Sequence, residues 1–246
     1  MSNIINVQFS YFCDYHIQTS VESITKLMEE LNGLGFGELL PSMIPGQKLN
    51  LLEGKAIPTS NLSFNSTDGS LQIVCMDNRI DCIIRHTVSE KIDLDKDLLK
   101  SKKLLDVIIS HYSILGNRLA INIDAIGNKK VSDFSTTKFG RLLSSSINYY
   151  SEKTISEISA NLNTRIPIQL LKMEEIVNVI TNINTAVNNK DQSNLLLCHI
   201  DINTIPENQG LRFNNDVLEQ FVNQVKGIIQ QIIAEFEVID NEGSND

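Results

Sequence analysis

The sequence predicts an α+β fold, two antiparallel sheets joined or abutting with helices packed on one side, and three observations predict it. Short runs of alternating apolar and polar residues are separated by the turn dipeptides Asp68-Gly69 and Asp77-Asn78. Two long segments place apolar residues at steps of three and four. The order strand, helix, several strands, long helix occurs twice along the chain, which suggests a duplicated unit.

Ile4 to Phe12 mixes β-branched and aromatic residues and reads as the first strand. Thr19 followed by Glu22 has the form of a capping box. Val21, Ile24, Met28 and Leu31 then define a helical stripe that stops at Gly33 and Gly35. From Leu34 to Ala56, Pro41, Pro45 and several glycines point to a packed loop with a short strand near Lys48 to Leu52. Thr59–Asn65, Ser70–Met76 and Arg79–His86 form an expected three-stranded meander. The acids between Asp93 and Asp97 suit the positive end of a helix dipole. Leu98, Leu105, Ile108 or Ile109, and Tyr112 form the apolar face of the helix that follows, which ends near Gly116.

The second half opens on Arg118 to Ile126, with Leu119, Ile121 and Ile123 on one face and Asn122 and Asp124 on the other. A helix is expected over Phe134 to Ile147, and strands over Arg165–Leu171, Glu175–Val187 and Leu195–Asn203. A long helix then runs from Asp216 to about Glu237. The expected division is 1–116 for one half, 117–239 for the second and 240–246 for a polar tail.

The 246 residues suffice to bury a core without disulfides or metal staples. A net charge of -9, from 21 basic and 30 acidic residues, argues against binding nucleic acid or anionic membrane through bulk charge. Apolar runs fall short of the roughly 20 residues that span a bilayer, and the N-terminus lacks the basic start and apolar core of a signal peptide. A cytoplasmic location is expected. Cys13, Cys75, Cys82 and Cys198 stand singly; the last three lie in apolar stretches and read as buried packing rather than zinc ligands. No phosphate-binding glycine motif or nucleophile elbow is present, and no cofactor is expected.

His199, Asp201 and Asn203 alternate along one strand and so share a sheet face. With Arg118–Ile126 beside them, Asn122 and Asp124 join the cluster. His199, Asp201 and Asp124 are then candidate ligands for a divalent cation or an acid/base pair, against the plainer reading of a solvated sheet face. His86 after Arg85 suggests anion binding or a surface basic pair. Cys13, Asp14 and His16 are compact in sequence, but their strand parity does not supply a catalytic geometry. Lys100, Lys102 and Lys103 read as a solvated helix face, and Ser144 to Ser151 as a polar segment with paired tyrosines suited to a contact. The C-terminal helix is apolar over more than one stripe. Phe221, Val225, Ile228 and Ile232 are the candidate interface for self-association or a protein partner, against a central core helix.

Pro58, Asp68-Gly69, the Arg118–Asp124 strand and Ile200-Asp201-Ile202, taken in order, resemble a sporadically distributed family of bacterial proteins of similar length with no assigned activity. The resemblance implies an α+β protein found in mobile or antiviral-defence gene neighbourhoods, and supplies no catalytic residues. The expected function is a non-catalytic interaction protein, a homodimer or accessory subunit of a multiprotein system. The alternatives are a metal-assisted hydrolase or nuclease on His199, Asp201 and Asp124, and a small-molecule sensor that binds between the two halves.

Overall fold

The computed structural model describes residues 3–15, 17, 19–50, 54–87, 92–128, 134, 140–141, 149, 152–171, 173–187, 191 and 193–241. Its strands are β1 (Asn3–Cys13), β2 (Leu39–Asn50), β3 (Lys55–Ser66), β4 (Leu71–Met76), β5 (Arg79–Arg85), β6 (Gly116–Ile126), β7 (Ser159–Leu170), β8 (Met173–Val187) and β9 (Asn194–Thr204). The helices longer than a turn, among the described residues, are α1 (Val21–Asn32), α2 (Leu94–Tyr112) and α3 (Asn215–Asn241). The expected helix over Phe134–Ile147, the Ser144–Ser151 contact segment and the polar tail lie almost wholly outside the described residues.

The α+β class is as expected, and the two sheets are joined into one. A single nine-stranded sheet runs in the order β2-β3-β4-β5-β1-β6-β9-β8-β7, and every described pairing is antiparallel. β1 and β6 meet at the centre, with Asn6 opposite Asp124 and Gln8 opposite Asn122. Outward from this seam, β5-β4-β3 on one side corresponds to β9-β8-β7 on the other, and a helix follows both β5 and β9. Chain order and sheet order therefore repeat together for these four strands of each half, with β2 as an additional edge strand in the first.

The strand alternation separates two faces. Val7, Phe9, Tyr11, Ile80, Cys82, Leu119, Ile121, Ile123, Ile200 and Ile202 are buried on the face that carries the helices, and Phe9 stacks on Phe221 of α3 at 6.0 Å between centroids. α3 is also packed against α2, tied by Lys226–Asp95 at 2.8 Å and by Asn215 donating to Ser110. α2 packs on β1 and β5 and α3 on β7 and β9, so α3 meets the sheet on one side and α2 on its flank, which explains its broad hydrophobic surface. All four cysteines are buried and free, Cys13 included.

The structure corrects three local expectations. Leu39–Asn50 is a full strand, not a packed loop. It lies at the sheet edge and pairs only with β3, so Pro41 and Pro45, which share parity, need no N–H on the outer side. Its Gly46 is required by close approach, because a Cβ there would meet Thr59 Oγ1 at 2.8 Å and Asn61 Nδ2 at 2.9 Å. The α1 cap is Ser20 rather than Thr19: its hydroxyl accepts from the Ser23 N–H at 3.2 Å. Val21 is 82% exposed, and the buried stripe instead runs through Leu27 and Leu31, with Ile24 and Met28 packed beside them. In the meander, Gly69 adopts φ +72°, the left-handed conformation anticipated from Asp68-Gly69.

Candidate functional site

The opposite sheet face is polar, and among the described residues no helix packs on it. Register aligns its side chains in rows across the strands. One row runs Ser42, Ser63, Val74, Asp81, Ser10, Ala120, Asn203, Asn178, Arg165. A parallel row contains Arg85, Asn6, Asp124, His199 and Asn182. These groups bond largely to one another. Ser10 donates to Asp81 at 2.6 Å, and Arg79 pairs with the same carboxylate at 3.0 Å. Asn203 accepts at Oδ1 from Arg118 (3.0 Å) and Asn178 (3.1 Å), and donates to Asp201 (2.9 Å). Arg165 extends the chain from Asn178 to Glu207. Such mutual bonding is what a buried or half-buried polar side chain needs when no strand or helix satisfies it.

β6 lies beside β9, so the sequence-predicted cluster assembles: Asp124 faces His199 and Asn122 faces Asp201. His199 Nδ1 lies 2.6 Å from Asp124 Oδ1, and Asn6 donates to Asp124 Oδ2 at 2.9 Å. The hydrogen bond from His199 holds the Asp124 carboxyl below the usual carboxylate range despite its partial burial. The same bond raises the imidazole pKa of His199 against desolvation, with the charge of Asp124 adding to it. Asp201 is turned to Asn203 rather than into this pair. Among the described residues no three His, Cys, Asp or Glu side chains converge as metal ligands. The paired Nδ1 leaves Nε2 of His199 as the ring nitrogen for a ligand or proton.

The candidate interface residues divide. Phe221 and Val225 are fully buried in the chain's own core. Ile228 and Ile232 line a groove of about 590 Å³ between α3 and the β7–β9 side of the sheet, with Ile166, Val179 and Phe236. Of the isolated histidines, His86 bonds Asp97 at 2.8 Å and His111 bonds Glu30 at 2.9 Å, while His16 lies outside the described residues. Lys102 pairs with Asp106 and Glu219, holding α2 to α3.

Sequence reasoning missed the row Arg79, Phe12, Arg118, which register brings side by side on β5, β1 and β6. The guanidinium carbons lie over the Phe12 ring at 5.6 and 4.8 Å from its centroid. No local spacing signals this grouping, because its members come from three separate strands. No protein-family model matches the chain, and no curated protein shows significant similarity to it.

Proposed function

We propose that this chain is a non-catalytic interaction protein, a homodimer or accessory subunit of a bacterial multiprotein system, whose partner protein lies on the sheet face against which no described helix packs. The observation that carries the reading is that face: a broad row of hydrogen-bonded amides, hydroxyls and ion pairs, held in register by β5, β1, β6, β9 and β8. Side chains already fixed by one another lose little entropy on docking, and amide groups satisfy a partner's polar surface without the cost of stripping unpaired charges. Ile228 and Ile232 supply a second, apolar contact at the α3 groove. The antiviral-defence setting rests on the resemblance alone and the cytoplasmic location on the sequence alone; among the described residues no helix is long and apolar enough to cross a membrane.

Light scattering of the purified chain, alone and co-expressed with the products of neighbouring genes, tests this reading. Asn182→Arg and Asn122→Arg place a cation in the middle of the face at half-buried positions. Both substitutions are expected to abolish the dimer or the stoichiometric complex while leaving the circular dichroism spectrum intact. Association that survives both excludes the face as the contact.

A second reading, a metal-assisted hydrolase or nuclease on His199, Asp201 and Asp124, has one observation in its favour. Asp124 orients the imidazole through Nδ1 at 2.6 Å, the arrangement in which a carboxylate fixes a ligating or basic histidine. Zinc or manganese titration followed by calorimetry, compared between the native chain and His199→Ala, decides it.

A further inference from the structure

Three arginines approach the end of the central strands, and their charges are disposed differently. Arg212 is bidentate to the buried Glu175, at 2.5 Å from Nε and 3.0 Å from Nη2. Its Nη1 donates to the carbonyls of Asn117, Asn208 and Gly210, which fixes the 205–212 loop over the start of β6. Arg79 is paired with Asp81. Arg118 has no carboxylate within ion-pair reach among the described residues. Among the described residues its Nη2 bonds only the neutral amide of Asn203, and its Nε is buried without an acceptor. Arg118 is thus a half-buried guanidinium without a carboxylate in contact among the described residues; its charge acts at longer range on Glu207, whose carboxyl, held low first by its own backbone hydrogen bond, it helps hold low.

Arg118 lines a pocket of about 430 Å³ at the junction of the two halves. Asn78, Asn117, Asn208 and Gln209 add amide groups, and Phe12, Pro206 and Leu211 add apolar surface. Asp14 is the acid at its wall, which limits the ligand to a small charge. We propose that this pocket binds a small organic oxyanion, a carboxylate or phosphate ester, with the anionic group on Arg118 and its carbon portion against Phe12 and Leu211. The volume suits a metabolite-sized ligand, and the fork of Arg118, held by Asn203 and the Phe12 ring, is set for an oxyanion. This goes beyond the protein-partner reading and uses the Phe12–Arg118 end of the polar sheet face, away from Asn122 and Asn182.

Calorimetric titration of the full chain with inorganic phosphate, and separately with butyrate, at low ionic strength, tests the site and distinguishes the two anion sources. Saturable binding of one anion per chain is expected. Arg118→Gln is expected to weaken it about tenfold or more, with Arg85→Gln, on a distant strand end, leaving it unchanged. Asn208→Asp keeps the acceptor for the Gly210 N–H but adds a negative charge to the pocket, and it should weaken binding even if Arg118→Gln fails to fold. Absence of binding by both anions, or equal binding by the native chain and Asn208→Asp, overturns the proposal. Neither result bears on association through the central face, which light scattering reads independently.

Discussion

The two faces of the sheet are built from the same strands by different physics. On the helix-covered face, Phe9, Ile121, Ile200 and their neighbours are placed by the removal of apolar surface from water, a force without direction that tolerates many shapes. On the other face, Ser10, Asp81, Asn203, Asp124 and His199 are placed by hydrogen bonds at defined distances. The first face holds the molecule together; the second carries groups whose chemistry a partner or ligand can read. Both faces therefore contribute to stability, the first through burial and the second through bonds that single substitutions can remove one at a time.

The largest effect belongs to the helix-covered face. Phe221→Ala removes a fully buried ring stacked on Phe9 of the sheet. A loss of about 3–5 kcal/mol is expected in urea unfolding, enough to threaten the fold at ordinary temperature. A loss below about 1 kcal/mol would mean that the Phe221 ring does not anchor α3 to β1 through Phe9.

Asn203→Ala probes the polar face at its most buried amide, which is 1% exposed. It leaves Arg118 Nη2, Asn178 Nδ2 and one oxygen of Asp201 without their partner. A loss of about 1–3 kcal/mol is expected. Asn178→Ala combined with it should cost less than the sum of the two single losses, because each removes the same bond. Strict additivity in that double-mutant cycle would dissolve the network into independent surface groups.

Legibility from sequence follows the same divide. Strand periodicity exposes which residues share a face, so His199, Asp201 and Asn203, with Asp124 across from them, were readable as a cluster. The meander was readable because Asp68-Gly69 states its turn chemistry locally. β2 was obscured because Pro41, Pro45 and Gly46 break the usual strand signal, and edge position, a tertiary property, is what makes them acceptable. The α3 stripe shows where apolar surface lies but not what covers it; only packing assigns Phe221 and Val225 to the core and Ile228 and Ile232 to a groove. Arg79, Phe12 and Arg118 were invisible because their adjacency depends on the register of three strands far apart in sequence.

The smallest expected effect separates the faces by pH. The apolar face contributes the same stability at any pH between the titrations of its neighbours, whereas the Asp124–His199 pair does not. Asp124 is held low in the fold, so its share is present above the unfolded carboxyl pKa and is lost as pH falls through the lower folded value. His199 is held high, so its share is complete below the unfolded imidazole pKa and is lost as pH rises through the higher folded value. The pair therefore stabilises most between about pH 4 and 6.5, the ordinary values for a carboxyl and an imidazole, and fades on the alkaline side as His199 deprotonates. Because His199 is about a third exposed, the gain is expected to be under about 1 kcal/mol. Asp124→Asn should lower the His199 titration midpoint in NMR and flatten the fall in stability from pH 6 to 8. An unchanged midpoint would show that the imidazole answers to Asp201 or to solvent instead, and would move the electrostatic centre of the polar face away from the β6–β9 pair.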